Sequence, residues 1–172
     1  MIDRIDIVTR PGHRSQGQLH AGGRTMLCAL GRSGIGIKRR EGDGVTPLGR
    51  HRLLSIQTRH DRSVGLGPVR AYEPIRPNDG WCDAVTDRNY NRRVPLPYPA
   101  SHESLWREDA LYDVIGILDV NIRQRLTCGG SAIFFHLATP DYRQTEGCMA
   151  ISRADMRWLL PRLGPETLFI VR

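Results

Sequence analysis

The apolar residues of this chain fall almost entirely into short, β-branched runs, each soon closed off by glycine or proline. Such punctuation leaves room for strands and little room for helices. Residues 4–10, RIDIVTR, alternate apolar and polar positions around Ile5 and Ile7, as a half-buried strand does. A turn at Pro11-Gly12 follows. GQLHAGG and RTMLCAL, divided at Gly22-Gly23, then read as a hairpin. HRLLSIQTR (51–59) resumes as a strand. LYDVIGILDVN (111–121) and SAIFFHLA (131–138), dense in β-branched and aromatic residues, are the two strongest strand candidates, and ETLFIVR ends the chain as another. One helix is signalled. Ser152-Arg153-Ala154-Asp155 has the form of a capping box, and the helix it opens runs to Leu163 with Pro161 limiting its length. Residues 31–50 are Gly-rich and basic and read as a loop. Residues 59–106 show little periodicity, and long loops in compact domains are usually functional. The expected fold class is mainly β: a single β-rich domain over residues 1–172, sandwich- or barrel-like, with a short helix after Cys148.

At 172 residues the chain can bury a sizeable core without covalent staples, and its eighteen Gly and eleven Pro supply the turns. The net charge of +7 is almost wholly arginine, because Lys38 is the only lysine. A basic surface attracts nucleic acid, anionic lipid or a polyanionic polymer such as a cell wall, or is simply a solvated face. Cys28, Cys82, Cys128 and Cys148 show no CxxC spacing, which argues against a zinc site. In an oxidising compartment a Cys28–Cys128 pair is one possibility, which spacing alone does not establish. No run approaches the ~20 apolar residues of a membrane span. The start, MIDRIDIVTRPGHR, lacks a long apolar core, so no secretory signal is visible.

Chemistry concentrates in FFHLATPDYRQTEGCMAIS (134–152). An apolar strand delivers His136, and Gly147 delivers Cys148. A cysteine nucleophile needs its proton removed, and a neighbouring histidine can accept it. Gly147 lets backbone or substrate approach closely. A helix start just after Cys148 is expected to lower the thiol pKa and to offer N–H groups to an oxyanion. The connection of eleven residues, 137–147, is long enough to return the cysteine beside the histidine. Papain-like hydrolases place Cys before His, and caspase-like enzymes separate the pair by about 50 residues, so both are excluded.

His136, a spacer and then Thr145-Glu146-Gly147-Cys148-Met149, with Thr46-Pro47-Leu48-Gly49 upstream, resemble the site pattern of the L,D-transpeptidase (YkuD-like) family. The resemblance spans roughly residues 31–155. It implies a β-rich catalytic domain in which Cys148 attacks the diaminopimelate carbonyl at position 3 of a peptidoglycan donor stem. His136 would act as base and then acid, and Gly147 and Cys148 would supply oxyanion N–H groups. Thr145 would either hydrogen-bond within the site loop or only shape its turn. The reaction implied needs no metal or cofactor. Its partners are donor and acceptor stem peptides, not nucleic acid, and its place is the periplasm or cell envelope. Glu146 stands where the family usually has histidine, Ala150 replaces the common Asn or Arg, and the spacer of eight residues before Thr145 is short. A proteobacterial branch with a TEGC site and DGWCD and YNR segments looks similar, and is associated with crosslinks involving stem position 1.

Tyr90, Asn91 and Arg93 in DRNYNRRV, with His102, Glu103 and Trp106 in ASHESLWRED, place aromatics among charges that can bind stem-peptide carboxylates and sugar faces. As a group they are expected to form a lid over the cleft. Glu146 and Arg153 complete the expected substrate contacts. Three readings remain: a transpeptidase, an L,D-carboxypeptidase using the same residues with water as acceptor, or a non-enzymatic basic binder of peptidoglycan or nucleic acid.

Overall fold

A computed structural model describes residues 1–62 and 72–172; the part of the expected long loop at 63–71 lies outside the described residues. In chain order the strands are β1 (Ile2–Arg10), β2 (His13–Ala21), β3 (Arg24–Ala29), β4 (Ile35–Gly36), β5 (Thr46–Pro47), β6 (Gly49–Thr58) and β7 (Glu73–Pro74). They continue with β8 (Asp79–Cys82), β9 (Arg92–Pro95), β10 (His102–Ser104), β11 (Val114–Leu118), β12 (Phe134–Leu137), β13 (Met149–Ile151) and β14 (Leu163–Val171). The helix α1 spans Arg153–Leu159 and is followed by a 3-10 turn at Leu160–Arg162. The fold is mainly β, as the sequence predicts.

The main sheet runs β11-β12-β13-β3-β2-β1-β14-β6-β7, and β11 also pairs with β6, so the sheet closes on itself as a barrel. Period-2 alternation gives each strand one face toward the barrel core and, in β11 and β12, a second face toward another core. Ile5, Ile7, Leu19, Cys28, Phe135, Leu137, Met149 and Phe169, from strands all round the ring, form one buried cluster with Met156 and Leu159 of α1. The other face of β11 and β12 carries Ile115, Ile117 and Phe134 into a second cluster with Trp81, Leu105, Tyr112 and Cys148. A small sheet, β10-β8-β9, roofs that second cluster.

Local chemistry explains the elements and corrects some expectations. Ser152 caps α1, its hydroxyl accepting from Asp155 N–H, but α-helical geometry ends at Leu159, where Pro161 forces the 3-10 turn. Residues 31–50 are not all loop: β4 and β5 pair in parallel, and β6 begins at Gly49. Asp43 organises this region, accepting from the backbone N–H groups of Arg39, Arg40 and Val45 and from Lys38 Nζ at 2.6 Å. All four cysteines are free. Cys28 is buried in the barrel while Cys128 is exposed, so the two are not bridged.

Candidate active site

The parallel pairing of β12 with β13 sets His136 opposite Ala150. Cys148 lies immediately before β13, and its Sγ accepts the backbone N–H of Phe134 at 3.4 Å. His136 and Cys148 thus occupy the same face of neighbouring strands, offset by two residues. The structure brings the predicted pair together on the wall of one cavity of about 720 Å³. They are not bonded to each other: the Cys148 thiol donates to Ala132 C=O at 3.1 Å, and His136 Nδ1 lies 2.8 Å from Leu137 C=O. A carbonyl only accepts, so Nδ1 carries the proton and Nε2 keeps the free lone pair.

The site loop is held from the other end of the pattern. Thr145 N–H donates to Leu30 C=O and Thr145 C=O accepts from Arg32 N–H, both at 2.9 Å. Gly31 N–H donates to Thr46 Oγ1 at 2.8 Å, which ties the TPLG segment to the same strip of backbone. Thr145 Oγ1 donates to Cys148 C=O at 2.7 Å and accepts from Gly147 N–H at 3.2 Å, closing the turn that presents the thiol. Gly147 has φ +137°, and a Cβ there would sit 2.8 Å from Val45 C=O and 3.0 Å from Ile133 Cδ1. Only glycine fits.

Burial disfavours the charged form of both reactive groups. Burial pushes the Cys148 thiol up to about 12, and the nearby Glu103 adds to the effect. Burial holds His136 down at about 4, against the pull of its bond to Leu137. Burial thus favours the thiol and neutral imidazole over a thiolate–imidazolium pair, and proton transfer is best coupled to attack by sulfur. The expected activation by a helix start fails. Strand β13 separates Cys148 from α1, and a dipole's influence is confined to its first turn.

The expected substrate residues divide. Glu146 lines the cavity, paired with Arg32. Tyr90, Asn91, Arg93, His102, Trp106 and Arg153 do not line it. Tyr90 is buried and donates to Glu41 Oε2 at 2.5 Å. Asn91 accepts from Trp81 Nε1 at 2.9 Å and Ala132 N–H at 3.1 Å, and donates to Val120 C=O at 3.1 Å. Arg93 pairs with Asp79, Arg153 with buried Asp113, and Trp106 stacks on the Arg59 guanidinium 3.3 Å away. His102 is exposed, and strand alternation sends its neighbour Glu103 to the cavity instead. Glu103, which the sequence groups with His102 and Trp106, is thus the member of that segment that reaches the cavity, while Arg107 and Tyr112 were missed because no motif marks them. Tyr112 stands edge-on to His136 with ring centroids 5.2 Å apart, and its hydroxyl donates to Glu103 Oε1 at 2.6 Å.

A closed β-barrel, with a cysteine and a histidine on one wall of a charged cleft on its outer face, is the class of domain that the fold and site define. The particular family follows from the sequence as a whole: the L,D-transpeptidase catalytic domain model, YkuD, matches residues 8–171, and the chain belongs to that family. Among solved structures it is similar to L,D-transpeptidase 1 of Mycobacterium tuberculosis, at 13% identity and a TM-score of 0.41. That match covers 98% of this chain and 62% of the other, so the present chain spans under two thirds of that protein's length. No curated protein matches the sequence.

Proposed function

We propose that the protein is a cysteine L,D-transpeptidase that crosslinks peptidoglycan stem peptides in the cell envelope, over a single catalytic domain comprising residues 1–172. The observation that supports this best is the shared face of Cys148 and His136 on one cavity wall. In the first half-reaction Cys148 Sγ bonds to the diaminopimelate carbonyl of the donor stem, and the amide C–N bond breaks. His136 Nε2 takes the thiol proton and returns it to the departing D-amino acid. Gly147 N–H is committed to Thr145, so Cys148 N–H is the amide left to face the oxyanion. The second half-reaction passes the acyl group to an acceptor amine, giving 3-3 or 1-3 links, the latter suggested by the TEGC, DGWCD and YNR segments. Water in place of the amine makes the same site a carboxypeptidase. Among the described residues no helix is long and apolar enough to cross a membrane.

Purified protein incubated with muropeptides and analysed by mass spectrometry tests the reading. Crosslinked dimers are expected from the unmodified protein and none from Cys148→Ala, with the fold unchanged by circular dichroism. Dimers from the alanine variant would sink it, and shortened monomers alone would establish the hydrolase instead. Fractionation of the native protein checks the envelope location.

A further inference from the structure

Four carboxylates line the cavity: Glu41, Glu103, Asp109 and Glu146. Asp109 is held by Arg107 through bonds of 2.9 and 2.7 Å, Glu146 is paired with Arg32, and Glu41 takes the Tyr90 hydroxyl. Glu103 differs. Its Oε1 receives the Tyr112 hydroxyl and lies 3.8 Å from Arg107 Nη1, while Oε2 has no hydrogen bond among the described residues. It is also the cavity carboxylate whose charge is felt at the Cys148 thiol. Burial raises its pKa, so this carboxylate is a better base than an ordinary surface one.

An acyl-transfer enzyme with an amine acceptor faces a problem that His136 does not solve. The acceptor arrives as an ammonium, which has no lone pair, and His136, neutral again once it has passed its proton to the departing amine, can take only one of the two protons that ammonium must lose. We propose that Glu103 is a catalytic residue of the second half-reaction, holding the acceptor ammonium through Oε2 and taking one proton from it. This rests on the reading of Cys148 as the acyl carrier. The neutral amine then attacks the thioester carbonyl, so a C–N bond forms and the C–S bond breaks. The second amine proton passes through His136 to Sγ, restoring the thiol. The proton on Glu103 leaves to solvent through the open cavity. The acceptor chemistry so defined is a primary ammonium on a peptide, not a hydroxyl or a carboxamide.

The test compares the unmodified protein with Glu103→Gln, using a tetrapeptide-stem donor and two acceptors. One is a stem peptide with a charged primary amine; the other is hydroxylamine, which is uncharged at neutral pH. The quantity read is amine transfer divided by release of the terminal D-amino acid, a ratio insensitive to how much protein folds. With the peptide acceptor at neutral pH the ratio is expected to fall about a hundredfold, the usual scale of a lost acid–base group. It should recover with hydroxylamine, or as pH rises enough to free the peptide amine. An unchanged ratio, or equal loss with both acceptors, overturns the proposal and leaves Glu103 as a support for Tyr112 and His136. No D-amino acid release even from the unmodified protein would sink the parent reading, and this one with it.

Discussion

His136 and Gly147 are each under a constraint that can be measured away from catalysis. A histidine held at about 4 by burial binds its proton less readily folded than unfolded, where the ordinary value is 6.5. Stability should therefore be full above the unfolded value and be lost as pH falls from there towards the folded one. Between neutral pH and pH 5 the loss from this one group is expected to be about 2 kcal/mol. Urea titrations at the two pH values check it, with His136→Phe as the control in which that component should vanish. An equal pH response in the phenylalanine variant would assign the effect elsewhere. At Gly147 an alanine meets both a positive φ and the Val45 carbonyl. Gly147→Ala is expected to cost about 3 kcal/mol by urea denaturation. A loss below about 1 kcal/mol would mean that the turn relaxes freely.

At the scale of elements, the aromatic and amide residues of the middle segment build the site without touching its contents. Asn91, at φ +56°, bridges Trp81, Val120 and Ala132, and Ala132 is the residue whose carbonyl receives the thiol. Trp81 in turn packs edge-on against Phe134, at 5.1 Å between ring centroids. Asn91→Ala strips partners from three backbone or indole groups, and a loss of about 3 kcal/mol is expected in chemical denaturation. The remaining folded protein should show a Cys148 more reactive to a thiol reagent, because its carbonyl acceptor is no longer fixed. Unaltered reactivity would detach Asn91 from the nucleophile. Composition alone could not separate this supporting role from ligand binding, since the same side chains serve both. What was legible was local: Ser152 as a cap, the hairpin at Gly22-Gly23, and the strand bearing His136. That Glu103 faces the cavity was not. Its direction depends on the phase of β10, three residues long, which is fixed by pairing with Trp81 rather than by its own pattern.

Across the whole molecule a barrel-like form was expected, but the strands that close it were not legible, because the pairing of β1 with β14 sets Ile5 beside Phe169 from opposite ends of the chain. That closure gives the molecule two tiers of stability. Both β1 and β14 have a neighbour on each edge, so freeing either opens the ring and exposes the larger core. Among the described residues the roof strands β8, β9 and β10 pair only with one another. They can lift by exposing the smaller cluster around Trp81, Leu105 and Phe134, with every barrel ladder intact. Native-state hydrogen exchange should therefore show β1, β2 and β14 opening only with global unfolding, and the roof amides exchanging at least about tenfold faster through a sub-global event. Equal protection in both tiers would make the molecule one cooperative unit. Cys148 belongs to the smaller cluster, so the same opening that speeds roof exchange uncovers the thiol. A thiol reagent should then modify Cys148 at a rate that tracks roof exchange as denaturant is added, well before the barrel unfolds.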